Sequence, residues 1–171
     1  MIDLIGSSPK ILVIGDLMVD HYLWGSCERI SPEAPVQVVN IHNESTTLGG
    51  AGNVINNLTS LGAEVDIISV IGECDASEEL KELLLNIKID TNYLITQKDR
   101  VTSKKSRVIA ANQQVIRYDR EITDEINNIS KIAVLKTFKT IIKHYDVILL
   151  SDYGKGLFTF DLTQSLIGIA N

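Results

Sequence analysis

The chain has 171 residues, of which 44% are hydrophobic, and its 16 basic and 22 acidic residues give a formal charge of −6. A chain of this length forms one domain or a large part of one, and this hydrophobic content is enough for a packed core. The acidic balance argues against a general nucleic-acid-binding surface. No apolar run reaches the roughly 18 residues of a membrane span, and residues 1–10 lack the pattern of a secretory signal.

The cysteines and histidines argue against disulfides and metal sites. Cys27 and Cys74 lie far apart in the sequence without Cys-x-x-Cys spacing, which predicts free thiols in a reducing cytoplasm. His21, His42 and His144 show no metal-ligand spacing, so we expect this chain to bind no metal ion.

Three short apolar runs predict strands buried on both faces, as the strands of a parallel sheet are. They are residues 10–15, 65–71 and 146–151. Helical patterns lie between these runs, so the sequence predicts an alternating α/β fold.

The aspartates that follow these runs are candidates for a ligand site. Ligands of open α/β sheets bind outside the carboxyl ends of the strands, so we expect Asp16, Asp75 and Asp152 near one crevice edge. A functional role is favoured for Asp16, and Asp20 is a second candidate. Asp75 is interpreted instead as a cap, because Asp75-x-x-Glu78 resembles a capping box.

A glycine-rich segment at residues 49–53 opens a predicted helix that ends at Gly62. Val54, Leu58 and Leu61 have the spacing of an apolar helix face. Glycines at a helix start let the backbone approach a ligand, and the unpaired N–H groups there favour anionic or oxygen-rich groups. A tight loop in which the glycines serve only packing is the alternative.

Three further helices are predicted from apolar periodicity and end signals: residues 76–87, a long helix after Thr123, and a helix from about Phe160. For the long helix, Thr123 is the expected cap, Asp124 and Glu125 occupy its first turn, and Ile129 lies on its apolar side.

Two segments, about 21–46 and 100–119, interrupt this alternation and predict β structure outside the core. The second predicts a hairpin with its turn at Ala111 and Asn112. Its concentration of basic residues in an acidic chain indicates an anion site or, equally, a solvated strand face. These residues are Arg100, Lys104, Lys105, Arg107, Arg117 and Arg120.

The order of the motifs resembles that of the ribokinase-like (PfkB) carbohydrate kinases over residues 10 to about 170. The second and fifth motifs resemble more specifically the heptose-7-phosphate kinases within that family, which are often fused to an adenylyltransferase. The motifs are Gly15-Asp16-x-x-x-Asp20, Ser31-Pro-Glu-Ala-Pro35, Gly49-Gly50-Ala-Gly-Asn53, Thr102-x-x-Lys105-x-Arg107, Asn112-Gln-Gln114-x-x-Arg117-x-Asp119 and Ser151-Asp-Tyr-Gly-Lys155-Gly156.

The resemblance implies a partial ribokinase-like fold: three αβα layers, a mostly parallel central sheet, and a β lid from the two interrupting segments. It implies that Asp16 binds sugar hydroxyls while the glycine-rich motif closes on the sugar, that the lid holds the 7-phosphate, and that Lys155 faces substrate or nucleotide phosphates. The substrate-binding residues expected on this basis are Asp16, Asp20, Gly49, Gly50, Asn53, Lys105, Arg107, Arg117 and Lys155.

The implied reaction is the phosphorylation of heptose 7-phosphate at its anomeric hydroxyl by ATP and Mg²⁺, in the supply of ADP-heptose for lipopolysaccharide core. The implied enzyme is a cytoplasmic homodimer paired through the lid, with no nucleic-acid or membrane partner. The alternatives are a kinase for another sugar or a nucleoside, and a non-catalytic sugar-phosphate-binding or dimerisation module.

One family motif is missing from these 171 residues. In the family a Gly-Ala-Gly-Asp motif supplies oxyanion-hole glycines and the catalytic base, whereas here Gly50-Ala51-Gly52 is followed by Asn53. We therefore expect residues 1–171 to be the N-terminal part of a kinase domain, with the base and ATP-binding part in a C-terminal half. This part alone is expected to show no sugar-dependent ADP release with ATP and Mg²⁺.

Overall fold

The computed structural model describes residues 8–171, in which eight strands and four α-helices form two sheets with helices packed on one of them. In chain order the elements are β1 (Lys10–Gly15), β2 (Leu17–Ile30), β3 (Gln37–Gly50), α1 (Ala51–Ser60), β4 (Glu64–Ile71), α2 (Asp75–Asn86), β5 (Leu94–Thr96), β6 (Ser103–Ala110), β7 (Gln113–Arg120), α3 (Asn128–Ile141), a short 3₁₀ turn (Ile142–His144), β8 (Val147–Ser151) and α4 (Phe160–Ala170).

The central sheet is parallel, with strand order β5-β4-β1-β8. Side chains alternate across a strand, so β1 sends Ile11 and Val13 into the core beneath α1 and α2. Leu12 and Ile14 pack on the opposite side, with α3 and α4. This arrangement confirms the alternating α/β fold predicted from the apolar runs and the three αβα layers that the family resemblance implies.

The second sheet, the lid sheet, has the order β3-β2-β6-β7. Its segments, 17–50 and 103–120, differ from the predicted 21–46 and 100–119, because β2 begins directly after Asp16 and β3 runs into α1. The predicted hairpin turn is confirmed: Ala111 and Asn112 have φ angles of 50° and 60°, as the tight turn of a two-residue hairpin requires.

The long helix begins later than predicted, and this is a correction. Its N-cap is Asn127, whose side chain accepts the Ser130 N–H, so Thr123 is not the cap. The preceding segment is held by distant groups: Ile126 donates its N–H to the Gly156 carbonyl at 2.9 Å, and the Asp124 carbonyl accepts from Arg100 at 3.1 Å. Ile129 is 79% exposed, so it does not belong to the apolar face.

Two smaller predictions are also wrong. Cys74 is the N-cap of α2 and no side chain caps that helix, so Asp75 lies in the first turn and does not form a capping box. On α1 Ala51 and Ile55 are buried and the predicted Leu58 packs against the same core, whereas Leu61 is 84% exposed and lies outside the apolar face. Gly62 does end α1 with φ of 90°, as predicted.

Between residues 8 and 171, none of the helices is both long and apolar enough to cross a membrane.

Candidate functional site

Asp16 lies at the junction of the two sheets, directly after β1, and only 4% of it is exposed. Its Oδ2 atom accepts the backbone N–H groups of Tyr153, at 2.9 Å, and Lys155, at 3.1 Å. Its own N–H donates to the Ser151 carbonyl at 3.1 Å. The carboxylate therefore anchors the turn after β8, here called the anchored turn (residues 152–156), at the carboxyl end of the central sheet.

Gly49 and Gly50 bring the start of α1 against the backbone of Asp16 and the carboxylate of Asp20. A Cβ atom on Gly50 would lie 2.5 Å from the Asp16 carbonyl oxygen, and one on Gly49 would lie 2.5 Å from Asp20 Oδ2. The same Asp16 carbonyl accepts the Ala51 N–H at 2.9 Å. The glycines thus place the N-terminus of α1 beside the backbone of Asp16 and the carboxylate of Asp20.

Gly50→Ala is expected to destabilise the protein by about 2 kcal/mol or more, because a φ of 57° is strained for alanine and the added carbon has no room. Thermal unfolding measures this loss. Gly62→Ala is the matched control, because Gly62 also has positive φ but has no atom within 4 Å of the added carbon. An equal loss of Tm in the two variants would show that the contact with Asp16 carries no penalty.

One face of the lid sheet carries the charged residues closest to this junction. Strand register places Asp20 of β2 beside Lys105 of β6, and Lys105 beside Asp119 of β7. Arg107 is likewise opposite Arg117. Paired residues on neighbouring strands share a face, so this charged face contains four of the predicted substrate-binding residues.

Arg107 and Asp20 form an ion pair with Nη1 2.6 Å from Oδ1. The guanidinium lies 5.2 Å from the ring centroid of Tyr22, within the range of a cation–π contact. Tyr22 in turn stacks on Trp24, with the ring centroids 6.2 Å apart. The Arg107 guanidinium is therefore held between the Asp20 carboxylate and the stacked aromatic pair.

Lys105 lies between two carboxylates, with Nζ 2.9 Å from Asp119 Oδ2 and 2.7 Å from Glu121 Oε2. Arg117 donates from Nε and Nη2 to the two oxygens of Asp119, at 2.9 and 2.7 Å. Glu121 uses its other oxygen, Oε1, to accept from Lys155 Nζ at 3.0 Å. A continuous set of charged contacts therefore runs from β7 to the anchored turn.

These contacts shift the pKa values of the groups that make them. The bond from Arg117, followed by the bond from Lys105, lowers the pKa of Asp119. The bond from Lys105 lowers the pKa of Glu121, against partial burial and with help from Lys155. Burial by itself lowers the pKa of Lys105, but its bonds to Glu121 and Asp119 outweigh that effect and raise it.

The lowered pKa values of Asp119 and Glu121 predict a contribution to stability that is present above about pH 4 and lost at lower pH. In the unfolded chain both carboxyls protonate near their ordinary pKa values, whereas in the folded chain they stay charged to lower pH. Glu121→Gln is expected to lower Tm at neutral pH, and the difference from the unaltered protein should shrink in acid. A Tm difference independent of pH would contradict this account.

The basic residues predicted to form one anion site do not all lie on the charged face of the lid sheet. Arg100 is buried, and its guanidinium donates to the Asp124 and Lys155 carbonyl oxygens. Burial lowers its pKa, against the attraction of Asp16 and Asp124. Lys104 lies on the opposite face of the lid sheet and pairs with Glu79 at 2.7 Å. Arg100 therefore supports the anchored turn, and Lys104 lies outside the charged face.

The remaining predicted residues fall around the junction. Asn53 is exposed in the first turn of α1. Asp152 is exposed, and its Oδ1 accepts the Gly154 N–H at 2.8 Å within the anchored turn. Asp75 belongs to the start of α2.

Glu121 is the charged residue that sequence reasoning missed. Arg117, Asp119 and Glu121 alternate along the chain, and that period of two is the signal that places them on one face of an extended segment. The contact between Glu121 and Lys155 spans 34 positions and had no such signal.

Among residues 8–171 the structure places no three His, Cys, Asp or Glu side chains where they could hold a metal ion together.

The family model for pfkB family carbohydrate kinases matches residues 8–153, and the chain belongs to this family. It is 60% identical over 168 residues to the bifunctional protein HldE of Aliarcobacter butzleri, an alignment that covers 98% of this chain and 35% of the relative. It is 49% identical over 170 residues to the protein of the same name from Helicobacter hepaticus, covering 99% and 35% of the two chains. The chain thus spans about a third of the length of these relatives.

Solved structures of more distant sequence share the fold. A carbohydrate kinase from Agrobacterium tumefaciens superposes with a TM-score of 0.67 at 22% identity, covering 95% of this chain and 50% of the other. The tetrameric inhibited form of phosphofructokinase-2 from Escherichia coli superposes with a TM-score of 0.66 at 16% identity, covering 95% and 51%. At these identities the similarity establishes the ribokinase-like architecture alone.

Proposed function

We propose that this chain is the N-terminal, substrate-binding part of a kinase domain that phosphorylates heptose 7-phosphate at its anomeric hydroxyl with ATP. The observation that carries this proposal is the set of charged contacts that joins the lid sheet to Asp16. Two further observations support heptose 7-phosphate as the substrate. The lid motifs resemble those of the heptose kinases, and the chain is 60% identical to one of the HldE relatives described above. The product enters ADP-heptose and lipopolysaccharide core synthesis.

The sugar binds at the junction of the two sheets. Carboxylates accept hydrogen bonds from hydroxyl groups, and Asp16 and Asp20 both flank the start of α1. Gly49 and Gly50 bring the start of α1 close to this junction, and in this proposal N–H groups of its first turn and the Asn53 amide bind the sugar. In this role Asp16 both anchors the turn and orients a hydroxyl.

The 7-phosphate binds on the charged face. An ammonium has three N–H donors and a guanidinium five. Lys105 gives two of its donors to carboxylates, and Arg107 bonds Asp20 through Nη1, so donors remain on both groups for phosphate oxygens. Charge-assisted bonds of this kind are the strongest that a phosphate receives from side chains. Arg117 is placed to add to them.

The contribution of these residues to the reaction is positioning. Holding an acceptor hydroxyl in the right geometry lowers a barrier substantially, and phosphoryl transfer depends on such positioning together with charge stabilisation. Bound Mg²⁺–ATP supplies the phosphoryl group and the neutralising metal charge. In this proposal the base that takes the hydroxyl proton belongs to the C-terminal half of the kinase domain.

The protein acts as a cytoplasmic homodimer that pairs through the lid sheet. The lid exposes several large apolar side chains, and exposed apolar surface of this kind favours association. Examples are Trp24, Ile116 and Tyr118, at 42%, 55% and 51% exposure. Sedimentation velocity of the full-length protein tests this assembly, and a monomer at micromolar concentration would contradict it.

A coupled ADP-release assay on the full-length protein tests the proposed function. The expected result is a kcat/KM for heptose 7-phosphate far above that for other sugar phosphates, free hexoses or nucleosides. A higher kcat/KM for one of those compounds would favour the kinase for another substrate. Binding of heptose 7-phosphate without turnover would favour the non-catalytic module.

A further inference from the structure

Glu121 is the one residue among those described whose carboxylate joins the lid to the anchored turn through two different lysines. It follows β7 directly and uses Oε2 for Lys105, at 2.7 Å, and Oε1 for Lys155, at 3.0 Å. The three side chains are 23%, 11% and 16% exposed. Two partly buried ammonium groups thus share one carboxylate.

Lys155 carries this connection on to Asp16. Its side chain binds Glu121, while its backbone N–H donates to Asp16 Oδ2 at 3.1 Å. Its carbonyl oxygen accepts from the buried Arg100 guanidinium. A displacement of the Lys155 side chain therefore acts on a residue whose backbone holds the carboxylate at the end of β1.

We propose that Glu121 is a positioning residue that couples occupancy of the charged lid face to the placement of Asp16. The ligand in this inference, heptose 7-phosphate, rests on the proposed function, whereas the contacts of Glu121 with the two lysines do not. A phosphate that draws Lys105 toward itself weakens the contact of Lys105 with Glu121 Oε2. Glu121 then shifts, and the Lys155 side chain bound to its Oε1 shifts with it. The lid and the sugar-binding carboxylate then respond to the phosphate as one unit.

Glu121→Gln breaks this connection with little change in shape. An amide keeps one acceptor oxygen and carries N–H donors in place of the other, so the lysine that now binds the replaced oxygen of Glu121 loses its partner. Asp119→Asn is the informative comparison, because between residues 8 and 171 Asp119 forms ion pairs with Lys105 and Arg117 but not with Lys155. Glu79→Gln removes an ion pair of similar length on the opposite face of the lid sheet.

Amide hydrogen exchange in the full-length protein without substrate is the first test. Glu121→Gln should speed exchange of the Tyr153 and Lys155 amides at least about fivefold, the scale of coupling between contacting groups. Asp119→Asn and Glu79→Gln should leave these two amides unchanged. Unchanged exchange in Glu121→Gln, or an equal effect of Asp119→Asn, would overturn the proposal.

A double-mutant cycle in the same protein is the second test. Glu121→Gln and Lys155→Met are each expected to raise KM for heptose 7-phosphate about tenfold, and the double variant should be no worse than the poorer single one. If KM of the double variant rises by the product of the two single increases, the proposed coupling is overturned. If the unaltered protein does not phosphorylate heptose 7-phosphate, the proposed function fails, while the exchange test still decides the role of Glu121.

Discussion

Asp16→Asn in the full-length protein is expected to lower kcat/KM for heptose 7-phosphate about 100-fold, the order associated with losing a hydrogen bond to a charged group. The amide oxygen can still accept the N–H groups of Tyr153 and Lys155, which now bond Asp16 Oδ2. We therefore expect a fall in Tm of only a few degrees. Steady-state kinetics and thermal unfolding of the same preparation measure the two effects.

Two further variants separate binding from anchoring. Asp16→Ala removes the acceptor as well as the charge, so it should lose stability in addition to activity, because two backbone donors lose their partner. Asp152→Asn is the matched control at the end of the neighbouring strand, since its exposed carboxylate accepts, from the part of the chain that the structure describes, only the Gly154 N–H. Loss of activity in Asp16→Asn that merely follows loss of stability would assign Asp16 a structural role alone.

Lys105→Ala in the full-length protein is expected to weaken heptose 7-phosphate binding about 100-fold through loss of a charge-assisted contact. The affinity for the same heptose without its phosphate should change little. Arg107→Ala should act in the same direction, with an added effect on the sugar because Asp20 loses its partner at 2.6 Å. Isothermal titration with both sugars gives the two affinities for each variant.

Lys104→Ala is the control for this experiment. Lys104 is adjacent in β6, and its ion pair with Glu79 has the same length as that of Lys105 with Glu121, 2.7 Å. It points to the opposite face of the lid sheet, so it should leave both affinities unchanged. An equal loss of affinity for the two sugars in Lys105→Ala would show that Lys105 supports the fold of the lid and does not bind phosphate.

Local signals in the sequence were sufficient for most of the architecture. Continuous apolar runs identified β1, β4 and β8, because strands buried on both faces need no alternation. The turn at Ala111 and Asn112 followed from a break between two strand-like runs, and Gly62 marked the end of α1. The order of the motifs identified the family, whose model matches residues 8–153.

The errors lie where distant groups compete with local ones. Thr123 looks like a cap, but Arg100 and Gly156 bind the next residues in an extended path, and α3 begins only after Asn127. Leu61 has the spacing of an apolar face, yet α1 ends beside it and leaves it in solvent.

By itself, the sequence determined the alternating strands and helices, the glycine-rich helix start and the basic hairpin, because each depends on neighbours within a few positions. Only the tertiary structure decided how the charges are paired. Strand register and the return of the chain at β8 bring Glu121 between Lys105 and Lys155 and turn Arg100 toward two carbonyl oxygens. Such pairing depends on distances between groups far apart in the chain, which periodicity and composition do not encode.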